Sequence, residues 1–313
     1  MKLGTIDFMK NKKIYFVVSI CLVVLTLLSA VIVGVNLDIQ FKGGTILTYS
    51  HSGELNAADF QKTVEAHLGQ SVKLQEQTNV ATGETNYVVS LTSTDGLTLD
   101  EQGALTDAIT AAYPDNGIET VSVNNVNPTI GSEFFRKCLV AVTIAALLMV
   151  VYIAFRFRRI GGWSAGVMCV VALLHDTMIV FLTFVLCRFP INDNFIAVVL
   201  TILGYSINAT IVVYDRVREN EKRFGRKADI GDVVNTSINQ SLTRAMNTTI
   251  TTATAMLVIC IVALTRGVSS ILSFAFPLLI GILAGFYSSV CLSGPLWVTW
   301  QRYYAARKKA AKA

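Results

Sequence analysis

Leu200-Thr-Ile-Leu-Gly-Tyr-Ser-Ile-Asn-Ala-Thr-Ile-Val-Val-Tyr-Asp-Arg-Val-Arg-Glu-Asn220 runs from an apolar span, through a polar knot at Ser206, Asn208 and Thr210, into a burst of charge beginning at Asp215 and Arg216. A helix in lipid has no water for its polar groups, so hydroxyls and amides gathered on a span face other helices or a wet cavity. The knot is therefore a gate candidate. Its three residues fall on alternate faces of about one turn and do not all point one way.

Composition supports a membrane setting. Of 313 residues, 53% are hydrophobic and 15% charged, too apolar for an ordinary soluble domain. Six apolar stretches, at 14–35, 137–155, 163–187, 193–214, 248–265 and 271–298, approach or exceed the about 20 residues that cross a hydrocarbon core as helix. The first is too long for a cleaved signal and reads as an uncleaved signal anchor. All six cysteines lie in or at the ends of these stretches, without the clustering a disulfide framework or metal site needs. Basic residues flank every second span end: Lys10, Lys12 and Lys13; Arg156, Arg158 and Arg159; 216–227; and 302–312. That pattern places both termini in the cytoplasm. It argues against nucleic acid as a partner, because the cations hug span ends. The turn after the second span, residues 155–159, serves topology and anionic lipid.

The polar region, 36–130, predicts a strand over 37–49, a helix capped at Asn56, strands at 71–77 and 87–92 flanking a turn at Gly83, a helix over 98–112 stopped by Pro114, and a strand over 118–126. The order β-α-β-β-α-β is that of a ferredoxin-like unit. Gly43 and Gly44, with Asp38 just before them, are candidate hinges where the chain leaves the first span; paired glycines permit positive φ, as a structural bend or a docking surface.

Asp176 lies mid-way along the third span, where a charged acid costs roughly 2.5 to 3.5 kcal/mol on insertion scales. It is either a locally hydrogen-bonded packing residue, with His175 turned to another face, or a titrating group in a polar path. Residues 230–242 carry an apolar helical period and predict an amphipathic helix on the inner face before the fifth span. Arg244 follows; it either snorkels to the surface or governs ion passage. Gly281 and Gly285 in the sixth span allow close helix packing.

Four motifs, in order, resemble the SecF side of the SecD/SecF family, within the resistance-nodulation-division superfamily: 38–45 (Asp-Ile-Gln-Phe-Lys-Gly-Gly-Thr), His175-Asp176, Gly204-Tyr-Ser-Ile-Asn208 with Asp215-Arg-Val-Arg-Glu-Asn220, and Asn239-Gln-Ser-Leu-Thr-Arg244. The family's usual Asn-Asp-Thr reads Asn208-Ala209-Thr210 here, so the expected carboxylate is missing. Position 209 is an engineered change, the mark of a lineage without that proton step, or a charge supplied instead by Asp176 and a partner subunit.

The resemblance implies a polytopic α-helical membrane protein of six transmembrane helices with a ferredoxin-like extracytoplasmic domain. The divisions are an N-terminus (1–13), the first span (14–35), the outer domain (36–130), a five-helix membrane domain (131–300) with an amphipathic cytoplasmic segment at 215–247, and a tail (301–313). It implies a transport subunit of the bacterial cytoplasmic membrane, not an enzyme, with no cofactor and no metal. Its partners would be SecD, the SecYEG channel, a YidC-type insertase, unfolded secretory proteins and membrane lipids. Implied ion-path residues are Asp176, His175, Arg244, Asn208, Thr210 and Ser206, with Asp215 and Arg216 as a cytoplasmic gate. A non-conducting scaffold is the alternative; an independent lipid or small-molecule exporter would be expected to carry twelve spans in one chain.

Overall fold

The structure is a computed structural model that describes residues 6–78, 85–91, 97–126, 128–225 and 228–310; the turn expected at Gly83 lies outside them. Six helices are long and apolar enough to cross a membrane. The first, α1 (Lys12–Ile32), packs on the third span.

Between the first and second spans sits a small α+β unit. The expected strand over 37–49 is corrected: Ile39–Lys42 is one helical turn, α2, and β1 (Gly44–Ser50) starts only after it. The alternating apolar residues have another use. Phe41 packs against Phe134 and Phe135, with ring centroids 5.8 and 5.1 Å away, so the turn anchors the domain to the second span. Gly43 (φ 82°) and Gly44 (φ 142°) redirect the chain into β1. A Cβ on Gly44 would lie 2.2 Å from the Leu91 carbonyl oxygen, so only glycine fits.

Next come α3 (Ala57–Leu68), β2 (Lys73–Thr78), β3 (Thr85–Leu91), α4 (Leu99–Ala112) and β4 (Glu119–Val126). The Asn56 side chain accepts from the amides of Ala58 and Asp59, and Thr98 with Glu101 forms a capping box, which fixes both helix starts. The sheet is antiparallel in the order β2-β3-β1-β4, the ferredoxin-like arrangement. Leu47, Tyr49, Phe60, Val89, Leu105 and Ile109 form its core.

The membrane part follows: α5 (Pro128–Arg156), α6 (Gly162–Leu186), α7 (Asp193–Phe224), α8 (Ile230–Thr265) and α9 (Ser269–Tyr287), a π-helical turn (Ser288–Ser293), then α10 (Gly294–Ala310). The amphipathic helix expected on the inner face is also corrected. Residues 215–224 continue α7, and 230–247 run unbroken into the fifth span as α8. At 1.5 Å per residue α8 is about 54 Å long, against a hydrocarbon core of about 30 Å, so it stands out of the bilayer on the face opposite the α+β unit. Its apolar stripe, Val233, Val234, Ile238 and Leu242, is buried in the bundle core, which removes the reason to lie on lipid. Asn220 on α7 donates to Ser237 and Gln240 on α8 and braces the protruding pair.

The π turn precedes Pro295. Proline has no N–H and its ring crowds the carbonyl four residues back; a widened turn relieves both. On the domain side, Asp38 N–H donates to Ile191 O and Ile191 N–H to Asn36 O, pinning the segment after α1 to the α6–α7 connection.

Candidate functional site

Asp176 sits 14 residues into α6, about 21 Å along its axis, and is completely buried. Its Oδ2 accepts from Ser206 Oγ on α7 at 2.7 Å and from Ser288 Oγ on the π turn at 2.7 Å. Its Oδ1 lies 3.2 Å from His175 Nδ1. His175 is thus not turned away from Asp176: side-chain torsions carry the ring back to its neighbour despite the roughly 100° between adjacent positions. Its Nε2 has no partner among the described residues, and its ring lies beside Tyr287 at 5.9 Å.

The cluster continues along one face of α7. Ser206, Thr210 and Tyr214 recur at every fourth residue, which aligns them on one helix side. Thr210 shares a hydrogen bond with Ser289 at 2.9 Å, Ser289 donates to Ser206 O at 3.2 Å, and Tyr214 shares one with Ser293 at 3.0 Å. The result is a buried ladder of hydroxyls leading from Asp176 toward the face opposite the α+β unit. Gly285 allows the close approach, since a Cβ there would lie 3.0 Å from Ser206 Cβ. Two hydroxyl donors at Oδ2, with His175 Nδ1 in reach of Oδ1, satisfy the buried carboxyl group, and each hydroxyl can pass on a proton as well as receive one.

Arg244 and Asn208 belong to a different place. They line a crevice of about 60 Å³ between α7 and α8 with Tyr205, Ala209, Val212, Ala245, Thr248 and Thr249, room for a few waters. Ala209 therefore faces the same crevice as Arg244, and an acid there would meet a guanidinium. Asp215 and Arg216 lie nine and ten residues beyond Ser206, about 14 Å along α7. Asp215 pairs with Arg156 and Arg218, and Arg216 with Glu219 and Gln240. Asp38, Gly43 and Gly44 form the bend at the opposite end. The expected site residues thus divide into a buried acid cluster, an arginine crevice and two peripheral sets.

Ser288, Ser289, Ser293 and Tyr214 were not singled out from the sequence. The available signal was three serines, 288, 289 and 293, within six residues of an otherwise apolar span. No group of three or more His, Cys, Asp or Glu that could hold a metal occurs among the described residues.

Residues 106–303 match the family described as protein export membrane protein SecD/SecF, C-terminal. The chain belongs to the SecD/SecF family. A protein translocase subunit SecF of Alicyclobacillus acidocaldarius is 33% identical over 311 residues, covering 98% of this chain and 96% of that one. The protein translocase subunit SecDF of Bacillus subtilis is 31% identical and covers 94% of this chain, which spans 38% of that longer protein. The crystal structure of SecDF from Thermus thermophilus, a translocon-associated membrane protein, superposes with a TM-score of 0.78 at 30% identity, covering 96% of this chain and 39% of its own. Membership in the SecD/SecF family makes this a multi-pass membrane protein of the Sec translocase that serves protein export.

Proposed function

We propose that the chain is the SecF-type half of a pseudo-symmetric unit with a SecD-type partner, and that the unit draws on the proton gradient to promote export through SecYEG. Support for the pairing is the fused SecDF relatives, of which this chain spans 38% and 39%; the rest of such a protein is what a partner would bring. The basic residues Lys12, Arg156, Arg218, Lys222 and Arg302 all fall on the face opposite the α+β unit. This supports a cytoplasmic placement for that face and an outer placement for the domain, where it would meet emerging unfolded chains. A YidC-type insertase is a further neighbour on this reading, and the membrane is the bacterial cytoplasmic one. The chain acts by coupling, without catalysis of its own.

The observation that carries the ion path is the buried Asp176 with its hydroxyl ladder. We assign Asp176 as the titrating group, with His175, Ser206 and Thr210 as its relay neighbours. The test is proton flux in liposomes holding this chain with its SecD-type partner. Flux that vanishes in Asp176→Asn is expected; flux unchanged by that substitution would refute the assignment. One observation favours a second reading: Ala209 leaves the Arg244 crevice without an acid, as a non-conducting scaffold would. Flux that appears only with Ala209→Asp would make 209 the relay position, and no flux in either form would favour the scaffold.

A further inference from the structure

A cavity of about 670 Å³ opens on the face opposite the α+β unit, between the end of α5 and the charged end of α7. It is lined by Phe155, Arg156, Arg158, Arg218 and Lys222. Four cations from two elements and a connecting turn converge on one space. Asp215 bridges two of them, 2.9 Å from Arg156 and 3.1 Å from Arg218, which holds their side chains in place and neutralises one charge. Arg158 and Lys222 form no ion pair among the described residues, so the cavity keeps an excess of positive charge. A basic flank that only sets topology needs neither a cavity nor a carboxylate to organise it.

Two further observations identify the occupant. Arg158 also lines a neighbouring cavity with Trp163, Trp300 and Tyr304, all exposed. Exposed Trp and Tyr on a membrane protein collect at headgroup depth, so the cations lie where lipid phosphates lie. From the cavity, Phe155, Val151 and Leu147 step up α5 at every fourth residue, exposed at 66%, 40% and 60%. That stripe leads from the cations into the hydrocarbon, a path that suits an acyl chain and is of no use to a free anion.

We infer that this cavity seats the headgroup of an anionic phospholipid, its phosphate against Arg158, Arg218 and Lys222 and one acyl chain along Phe155, Val151 and Leu147. Guanidinium forks suit phosphate oxygens, and basic pockets between membrane helices bind such headgroups.

The experiment is native mass spectrometry of the full-length chain in detergent, titrated with phosphatidylglycerol, phosphatidylcholine or inorganic phosphate. The variants are Arg158→Gln/Lys222→Gln and, as a charge-matched control, Lys10→Gln/Lys12→Gln. Phosphatidylglycerol should bind in preference to phosphatidylcholine. The first variant should weaken it by roughly fivefold per cation removed, about twenty-fivefold in all, while the control leaves it unchanged. Equal loss in both variants would reduce the effect to bulk charge and overturn the site. Full displacement by inorganic phosphate would make it a free-anion site and overturn the lipid assignment. No preference over phosphatidylcholine would overturn it too, leaving an acidic protein surface as the occupant to pursue.

Discussion

Removing the Asp176 carboxylate takes the acceptor from the buried Ser206 hydroxyl and leaves Ser288 with only the Gly285 carbonyl. Asp176→Ala is expected to cost about 3 kcal/mol, by analogy with breaking other buried polar networks, and Asp176→Asn less, because one acceptor oxygen remains. Thermal unfolding in detergent checks this, and an alanine variant as stable as the parent would show that the cluster holds nothing together. At Ala209, an added aspartate should pair with Arg244 for about 1 kcal/mol, an amount that disappears when Arg244→Gln is combined with it in a double-mutant cycle. Asp176, Ser206 and Arg244 were legible in the sequence because lipid makes polar groups expensive, so each one marks itself. Ser288 and Ser289 were not: a lone serine can bond to its own helix, and its other partner depends on how α6 and α7 cross the sixth span. His175 misled because backbone spacing says nothing of side-chain torsions.

The six spans were legible as apolar runs, since lipid permits only backbone that satisfies itself. The continuity of α8 was not, because the pattern of its first half is the same whether its apolar stripe meets lipid or other helices. Gly281 and Gly285 work inside the bundle: a Cβ at 281 would lie 2.7 Å from Ile202 and 2.8 Å from Val180. Gly281→Ala should therefore destabilise by about 1–3 kcal/mol through overpacking of α6, α7 and α9, read as a lowered unfolding temperature. In the α+β unit, the Thr98 amide and then its hydroxyl hold Glu101 below the ordinary 4.5, and the Gln61 amide and then the Val72 N–H do so for Glu65. A depressed folded value gives stability that is present above the ordinary value and lost as pH falls through the folded one. The protection factor of the amides at the start of α4, taken against intrinsic exchange at each pH, should thus fall on acidification below 4.5, and Glu101→Gln should flatten that fall. A protection factor insensitive to acid in the parent chain would contradict the capping account.

Among the described residues the α+β unit meets the membrane part at α2 against α5, the glycine bend and the bridge between Leu37 and Ile191. Gly44→Ala would drive a methyl into the Leu91 carbonyl at a left-handed φ, with strain of order 1–3 kcal/mol before the clash is counted. Export should fall while membrane insertion persists; unchanged export would show that β1 tolerates a shifted start. The domain's topology was legible from its alternation of helix and strand signals. Its attachment was not, because the residues that meet across it are far apart in the chain.

That distance also has a meaning in time. Residues 36–38 leave the ribosome 153 to 155 positions before Ile191, which at 5 to 20 residues per second is roughly 8 to 30 s. The α+β unit is complete once residue 126 has emerged, so for the last 65 of those positions, about 3 to 13 s, it has its whole sequence while the pin that seats it on the α6–α7 connection has no second half. The domain is therefore free to fold first and dock afterwards, as a finished piece, onto a membrane base still under synthesis.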